Sequence, residues 1–145
     1  IHFRKDFGVL HDSDWPYGTT KKTDGTYAKS PSWAHNRTIF ELVYKARSEG
    51  IGVAHEISIP DFERRIGLPR GTGGKPFEAY GEIKSNAATK AELQSLLKQL
   101  RATTSFDLEG EKPSLEIDAF EEYLLKALRE RVNKHGDEDG YRLGG

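Results

Sequence analysis

Apolar positions recur along this chain with two different periods. In "IGVAHEISIP", Ile51, Val53, Ile57 and Ile59 fall on one parity, which predicts a strand. "KPFEAYGEIKS" alternates as well: Phe77, Ala79, Gly81 and Ile83 lie on one side, and Glu78, Tyr80, Glu82 and Lys84 on the other. This predicts a second strand. Helical spacing governs "HNRTIFELVYKARSEG", where Asn36 is placed to cap, Ile39, Leu42, Val43 and Ala46 form a stripe, and Gly50 stops the helix. A second helix follows "TKAE", a capping box of Thr89 and Glu92, with Leu93, Leu96, Leu97 and Leu100 buried. A third runs through "IDAFEEYLLKALRERVNKHG", with Asp118 and Glu121 at its start, Phe120, Leu124 and Leu128 inward, and Gly136 at its end.

Between these elements the chain is rich in turn formers. Residues 1–34 carry Pro16, Gly18, Asp24-Gly25 and Pro31, which predicts an arm of loops and short strands with a hairpin tip at Asp24-Gly25. Phe3, Phe7, Trp15, Tyr27 and Trp33 would hold the arm down. "LPRGTGGK" reads as a mobile loop, and "DEDGYRLGG" as a tail that frays. The order arm, helix, strand, loop, strand, helix, helix predicts an α/β or α+β domain with a small mixed β-sheet flanked by helices. One domain is expected over residues 1–134, with the arm at 1–34, the core at 35–100, a helical part at 101–134 and a flexible tail at 135–145.

Composition narrows the chemistry. Of 145 residues 31% are charged, yet the formal net charge is only −1. That balance gives no general attraction to phosphate backbones, so any nucleic-acid contact must come from a local strip such as Arg64, Arg65, Arg70, Lys75 and Lys84. The absence of cysteine excludes disulfides, thiol catalysis and thiolate zinc sites. Without methionine and beginning at Ile1, the sequence reads as a processed, excised or engineered form. No apolar run reaches membrane-spanning length, so no membrane is expected, and a soluble chain is expected to be cytoplasmic in preference to secreted.

The chemistry then turns on three charges. Asp61 directly follows Pro60 at the end of the first strand, and Glu82 and Lys84 share a face of the second. Two carboxylates on neighbouring strands can hold a hard cation such as Mg²⁺, and an adjacent amine can orient water or offset charge on a phosphate. This arrangement resembles the PD-(D/E)xK nuclease superfamily, of restriction-endonuclease-like fold: Glu41 on a leading helix, Pro60-Asp61, then "GEIKS". The passage before Pro60 is similar to the corresponding part of phage junction-resolving and mismatch-nicking endonucleases. The resemblance covers about residues 36–100.

It implies a Mg²⁺-dependent endonuclease acting on DNA. Asp61 and Glu82 would be metal ligands, Lys84 would orient water, and Glu41 would be an accessory ligand. Arg64, Arg65, Arg70, Lys75 and Lys98 would approach the nucleic acid, and a homodimer would cut both strands. Gln94 is a further contact the resemblance suggests.

The residues also admit plainer roles. Glu41 has Arg37 and Lys45 four residues away on either side, the spacing of a surface ion pair. His55-Glu56 lies on the strand before Asp61, where a packed imidazole is the plainer role. "HDSDW" can chelate a cation through His11, Asp12 and Asp14 but equally reads as a loop of Asx-turns. Two other readings therefore stand beside the nuclease: a non-enzymatic interaction module, and an RNase or toxin-type effector.

Overall fold

A computed structural model describes residues 6–68, 75–101 and 113–144, without the side chains of 75–79 and 113–116. The fold is mixed α+β. It forms two compact units, each assembled from two stretches of chain. The first takes the residues up to Asp12 and those from Ala46 through the fourth helix; the second takes Ser13–Lys45 and the C-terminal part.

The first unit is built on strands β1 (Phe7–Asp12) and β4 (Val53–Ser58), which pair in parallel with Val9 opposite His55 and Asp12 opposite Ser58. Parallel pairing requires a long crossover, and here it runs through residues 13–52. Gly52 turns its carbonyl to Phe7 N at 3.0 Å, so the alternate carbonyls of Val53 and Ile57 face the outer edge of β4. Two arginines cover them. Arg47 places Nε and Nη2 on Val53 O at 3.2 and 2.8 Å, and Arg65 reaches Ile57 O at 3.4 Å. An edge whose acceptors are occupied cannot recruit another strand there.

Helices α2 (Phe62–Arg65), α3 (Lys75–Ser85) and α4 (Ala87–Arg101) complete this unit. Helix α4 lies against β1 so closely that a Cβ on Gly8 would stand 2.6 Å from Leu100 O. Asn86, and not Thr89, caps α4, accepting from Ala88 N and Thr89 N. Thr89 is buried instead, and its hydroxyl donates to Ile66 O at 2.9 Å.

Residues 75–85, expected as a strand, are helix α3. Pro76 in its first turn carries the fixed φ a helix start uses, and Ala79, Glu82 and Lys84 favour helix. An eight-residue alternation, Phe77 to Lys84, does not outweigh those preferences, and no strand among the described residues pairs with it.

The second unit holds the antiparallel strands β2 (Tyr17–Lys21) and β3 (Tyr27–Lys29), helix α1 (Pro31–Ser48) up to Lys45, helix α5 (Pro113–His135) and a 3-10 helix (Glu138–Leu143). The Asp24-Gly25 tip is present, with Gly25 at φ +84° and Asp24 accepting from Thr26. Its core is Trp15, Phe40, Val43, Ile117, Phe120, Leu124 and Leu128, all buried, with Phe40 and Phe120 stacked at 4.6 Å.

Helix α1 starts at Pro31, five residues before the expected cap. Asn36 is therefore inside the helix, buried, and donates to Ser13 O at 2.8 Å. Gly136, at φ +60°, ends α5 as expected. Beyond it, residues expected to fray form the 3-10 helix, capped by Asp137, which also pairs with Arg131. Among the described residues no helix is long and apolar enough to cross a membrane.

Candidate functional site: the carboxyl ends of β1 and β4

Parallel strands end with their last carbonyls and side chains on one side, and ligands of open α/β sheets collect there. At this edge of the first unit stand Asp12 from β1 and Ser58 from β4, opposite each other and on one face. Pro60 then turns the chain through a cis Ile59–Pro60 bond, and Asp61 caps α2, its Oδ1 accepting from Arg64 N at 2.8 Å. Asp12 joins the same helix start, its Oδ1 accepting from Phe62 N at 2.9 Å. A carboxylate from the end of β1 and one from the cap of α2 thus accept from two N–H groups of the same helix start, those of Phe62 and Arg64. Ser58 is wholly buried, and its hydroxyl has no hydrogen-bond partner among the described residues.

Cations flank these acids. The Arg64 guanidinium pairs with Asp61. Arg65 lies between Glu56 at 3.6 Å and Glu92 at 3.5 Å.

The opposite face of the strand pair carries two imidazoles. His11 and His55 stack at 5.0 Å, with Nε2 to Nε2 at 2.8 Å. His11 Nδ1 stands 3.0 Å from Asp12 O. A carbonyl only accepts, so Nδ1 carries a proton, and in the neutral pair His55 Nε2–H donates to His11 Nε2. Burial pushes the His55 pKa down to about 4, and repulsion from His11 and then Arg47 adds to this. The pair ties β1 to β4, one residue before Asp12 on β1 and three before Ser58 on β4.

The residues expected to form the site are placed apart. Asp61 and Arg64 belong to it, and Arg65 lies beside it. Glu82 and Lys84 are on α3, where residues two apart point roughly 200° from each other. Glu82 accepts from Asn86 Nδ2 at 2.6 Å, and Lys84 lies over the Tyr80 ring at 5.9 Å. Their expected shared face does not exist, because it depended on a strand. Glu41 is exposed on α1 in the second unit, 3.7 Å from Arg37. Lys98 and Gln94 are exposed on α4. Lys75 opens α3, with its side chain outside the described residues, and Arg70 lies outside them altogether. Among the described residues no group of three or more His, Asp or Glu side chains is placed to hold a metal ion.

Sequence reading passed over Asp12, Ser58 and the imidazole pair as a unit. A signal was present: "VLH" and "VAH" are short apolar runs that each place a histidine two residues after a valine. Two such runs on paired strands put both rings on one face.

Comparison with known proteins offers no relative: no family model matches the chain, and neither a curated protein nor a solved structure matches it.

Proposed function

We propose that the first unit is a divalent-cation-dependent phosphodiesterase, an endonuclease acting on DNA, working from the carboxyl edge of β1 and β4. The observation that carries this reading is that Asp12 and Asp61 both accept from N–H groups of one helix start. Mg²⁺ takes one or two protein carboxylates and completes its shell with waters and substrate phosphate, so two acids without a third suit it. A cation bound there would lower the pKa of its water and offset charge on the phosphate.

The protein's own groups have separable tasks. Asp12 and Asp61 supply oxygen ligands, each fixed by a backbone N–H. Arg64 is positioned to exchange part of its pairing with Asp61 for a phosphate oxygen, where its planar fork binds two oxygens at once. Ser58 Oγ offers a hydroxyl that a bound water would satisfy. The imidazole pair holds the two strand ends in register.

This reading retains the Pro60-Asp61 element of the PD-(D/E)xK resemblance and replaces Glu82 with Asp12. The test is nicking of supercoiled plasmid in Mg²⁺ or Mn²⁺, with EDTA as control. Asp12→Asn and Asp61→Asn, which keep an acceptor for the helix N–H groups, should each lose at least about 100-fold, the scale of removing a group that acts in the transition state. Glu82→Gln and Lys84→Ala should stay within about threefold. A wild-type chain that cuts neither DNA nor RNA in either ion ends the proposal, and a loss confined to Glu82→Gln returns the site to α3.

A further inference from the structure

Two cavities in the second unit share one lining residue, Tyr17. The first, of about 500 Å³, is bounded by Tyr17, Tyr27 and Tyr141. The second, of about 560 Å³, is bounded by Tyr17, Pro31 and Trp33, with Lys29, Arg37 and Glu121 at its margin. Each has room for about one nucleotide, within the size range of small-ligand sites.

The first cavity is held open by specific contacts. Arg142 Nε donates to Tyr17 O at 2.9 Å, which pins the 3-10 helix to the hairpin strand. Tyr141, 43% exposed, meets Tyr27 at 4.9 Å with the rings tilted by 43°. Gly144 lies at φ +80°, and a Cβ there would stand 2.4 Å from the Tyr17 ring. Only glycine lets the chain end pass this ring. Lys21 Nζ sits 5.6 Å from the centre of the Tyr27 ring.

This surface therefore brings cations and aromatic rings together: Lys21 at Tyr27, Tyr17 shared by both cavities, and Lys29, Trp33 and Arg37 at the second. We infer that it is a binding track for single-stranded nucleic acid, taking one base at Tyr27 and Tyr141 and a neighbouring base at Trp33. Aromatic faces accept any base by stacking, and interleaved cations follow the backbone. A duplex cannot use the track, because its bases are not splayed. Glu121 at the second cavity repels a bare phosphate but accepts from a base N–H, whether the N3–H of thymine and uracil or an exocyclic amine. This assigns the ring, and not the phosphate, to that cavity. The inference rests on the proposed function only in taking nucleic acid as the ligand, and binding can be read without any cleavage.

The experiment is fluorescence anisotropy of labelled dT₁₂ and rU₁₂, and of a 12-base-pair duplex, with the full chain in EDTA. Tyr27→Leu and Trp33→Leu should each weaken single-strand binding by roughly 5- to 100-fold, the contribution of one stacked base. Tyr27→Phe should keep it within about twofold, which separates stacking from a structural role of the hydroxyl. Lys29→Ala and Arg37→Ala should each flatten the salt dependence by about 0.7 in the log–log slope. Preference for dT₁₂ or rU₁₂ identifies the natural strand. Equal affinity for the duplex, or no loss in Tyr27→Leu and Trp33→Leu, overturns the inference even if plasmid nicking is intact. Binding without nicking overturns the proposed function and leaves the track.

Discussion

The two units bury different things. In the second, most sequestered side chains are large and apolar, Trp15, Phe40, Phe120, Leu124 and Leu128 among them, with Ser13, Asn36 and Asp139 buried beside them and Asn36 tied to a backbone carbonyl. In the first, the fully buried apolar set among the described residues is small: Val53, Ala54, Ile66 and Leu96. Beside it lie His55, Ser58 and Thr89, also buried. Burying a polar group costs about 1–3 kcal/mol unless it is paired; His55 and Thr89 are paired and the Ser58 hydroxyl is not, so the strand pair gives up stability for the placement of that hydroxyl. The second unit carries the mass of the apolar core, and the first carries the groups proposed to act. Their responses to mutation should therefore diverge.

The largest effect belongs to Phe120, wholly buried and stacked on Phe40. Phe120→Ala should destabilise by about 3–5 kcal/mol, since removing a core aromatic loses transfer energy and leaves a cavity. Val53→Ala, equally buried but on the strand pair, removes two carbons, and at ~0.8 kcal/mol per carbon plus a small cavity term should cost about 2 kcal/mol. Urea midpoints of the two variants measure the contrast directly. Equal losses would break it.

Acid sharpens the same comparison. Folded His55 titrates near 4, below its ordinary 6.5, so between those values the unfolded chain binds a proton that the folded chain refuses. Stability contributed by neutral His55 is complete above about pH 6.5 and is lost as pH falls towards 4. At ~1.36 kcal/mol per unit this amounts to about 3 kcal/mol. The second unit buries no histidine among its described residues. Carboxylates also titrate in this window, so the readout is the difference between the wild type and His55→Gln. The variant should lose the excess slope of stability against pH between 6.5 and 4. Parallel curves would mean that the imidazole pair is not sealed from water.

Two glycines of the first unit give smaller effects of opposite sign. Gly8→Ala forces a Cβ to 2.6 Å from Leu100 O, a backbone atom that cannot swing aside. It should separate β1 from α4 at about 1–3 kcal/mol. Gly81 has nothing within 4 Å of its Cβ position and lies inside α3. Alanine there should stabilise by roughly 0.5–1 kcal/mol, the helix-propensity difference. A loss at Gly81→Ala would favour the alternating-strand reading of residues 75–85 over the helix.

Long, strongly periodic elements were legible in the sequence: most of α1, the strand ending at Ser58, α4, α5 with its Gly136 stop, and the Asp24-Gly25 tip. Boundaries were not. The capping residues were misplaced because Asn36 and Thr89 use their side chains in long-range bonds to Ser13 and Ile66, and no local pattern announces those. Strand β1 was hidden inside an arm of turn formers, since Gly8 gives up a side chain to make room for Leu100 of α4, far along the chain. The site followed from that omission. Asp61 was visible through Pro60, but its companion Asp12 could not be paired with it before β1 was known to lie beside β4.

The smallest expected effect is the one that most cleanly divides the units. Glu41 was a candidate accessory metal ligand on sequence grounds, but it stands exposed on α1, 3.7 Å from an equally exposed Arg37. An exposed pair of this kind contributes about 0.3–0.5 kcal/mol, so Glu41→Gln should hardly move the unfolding midpoint. It should leave metal-dependent nicking within twofold, because the acids proposed to act lie on β1 and at the start of α2. The same change removes a competitor for Arg37, so affinity for dT₁₂ should rise slightly, and the rise should vanish in the Glu41→Gln, Arg37→Ala double variant. A tenfold drop in nicking with oligonucleotide binding unchanged would instead place Glu41 in the catalytic centre, and the division of labour between the two units would fail.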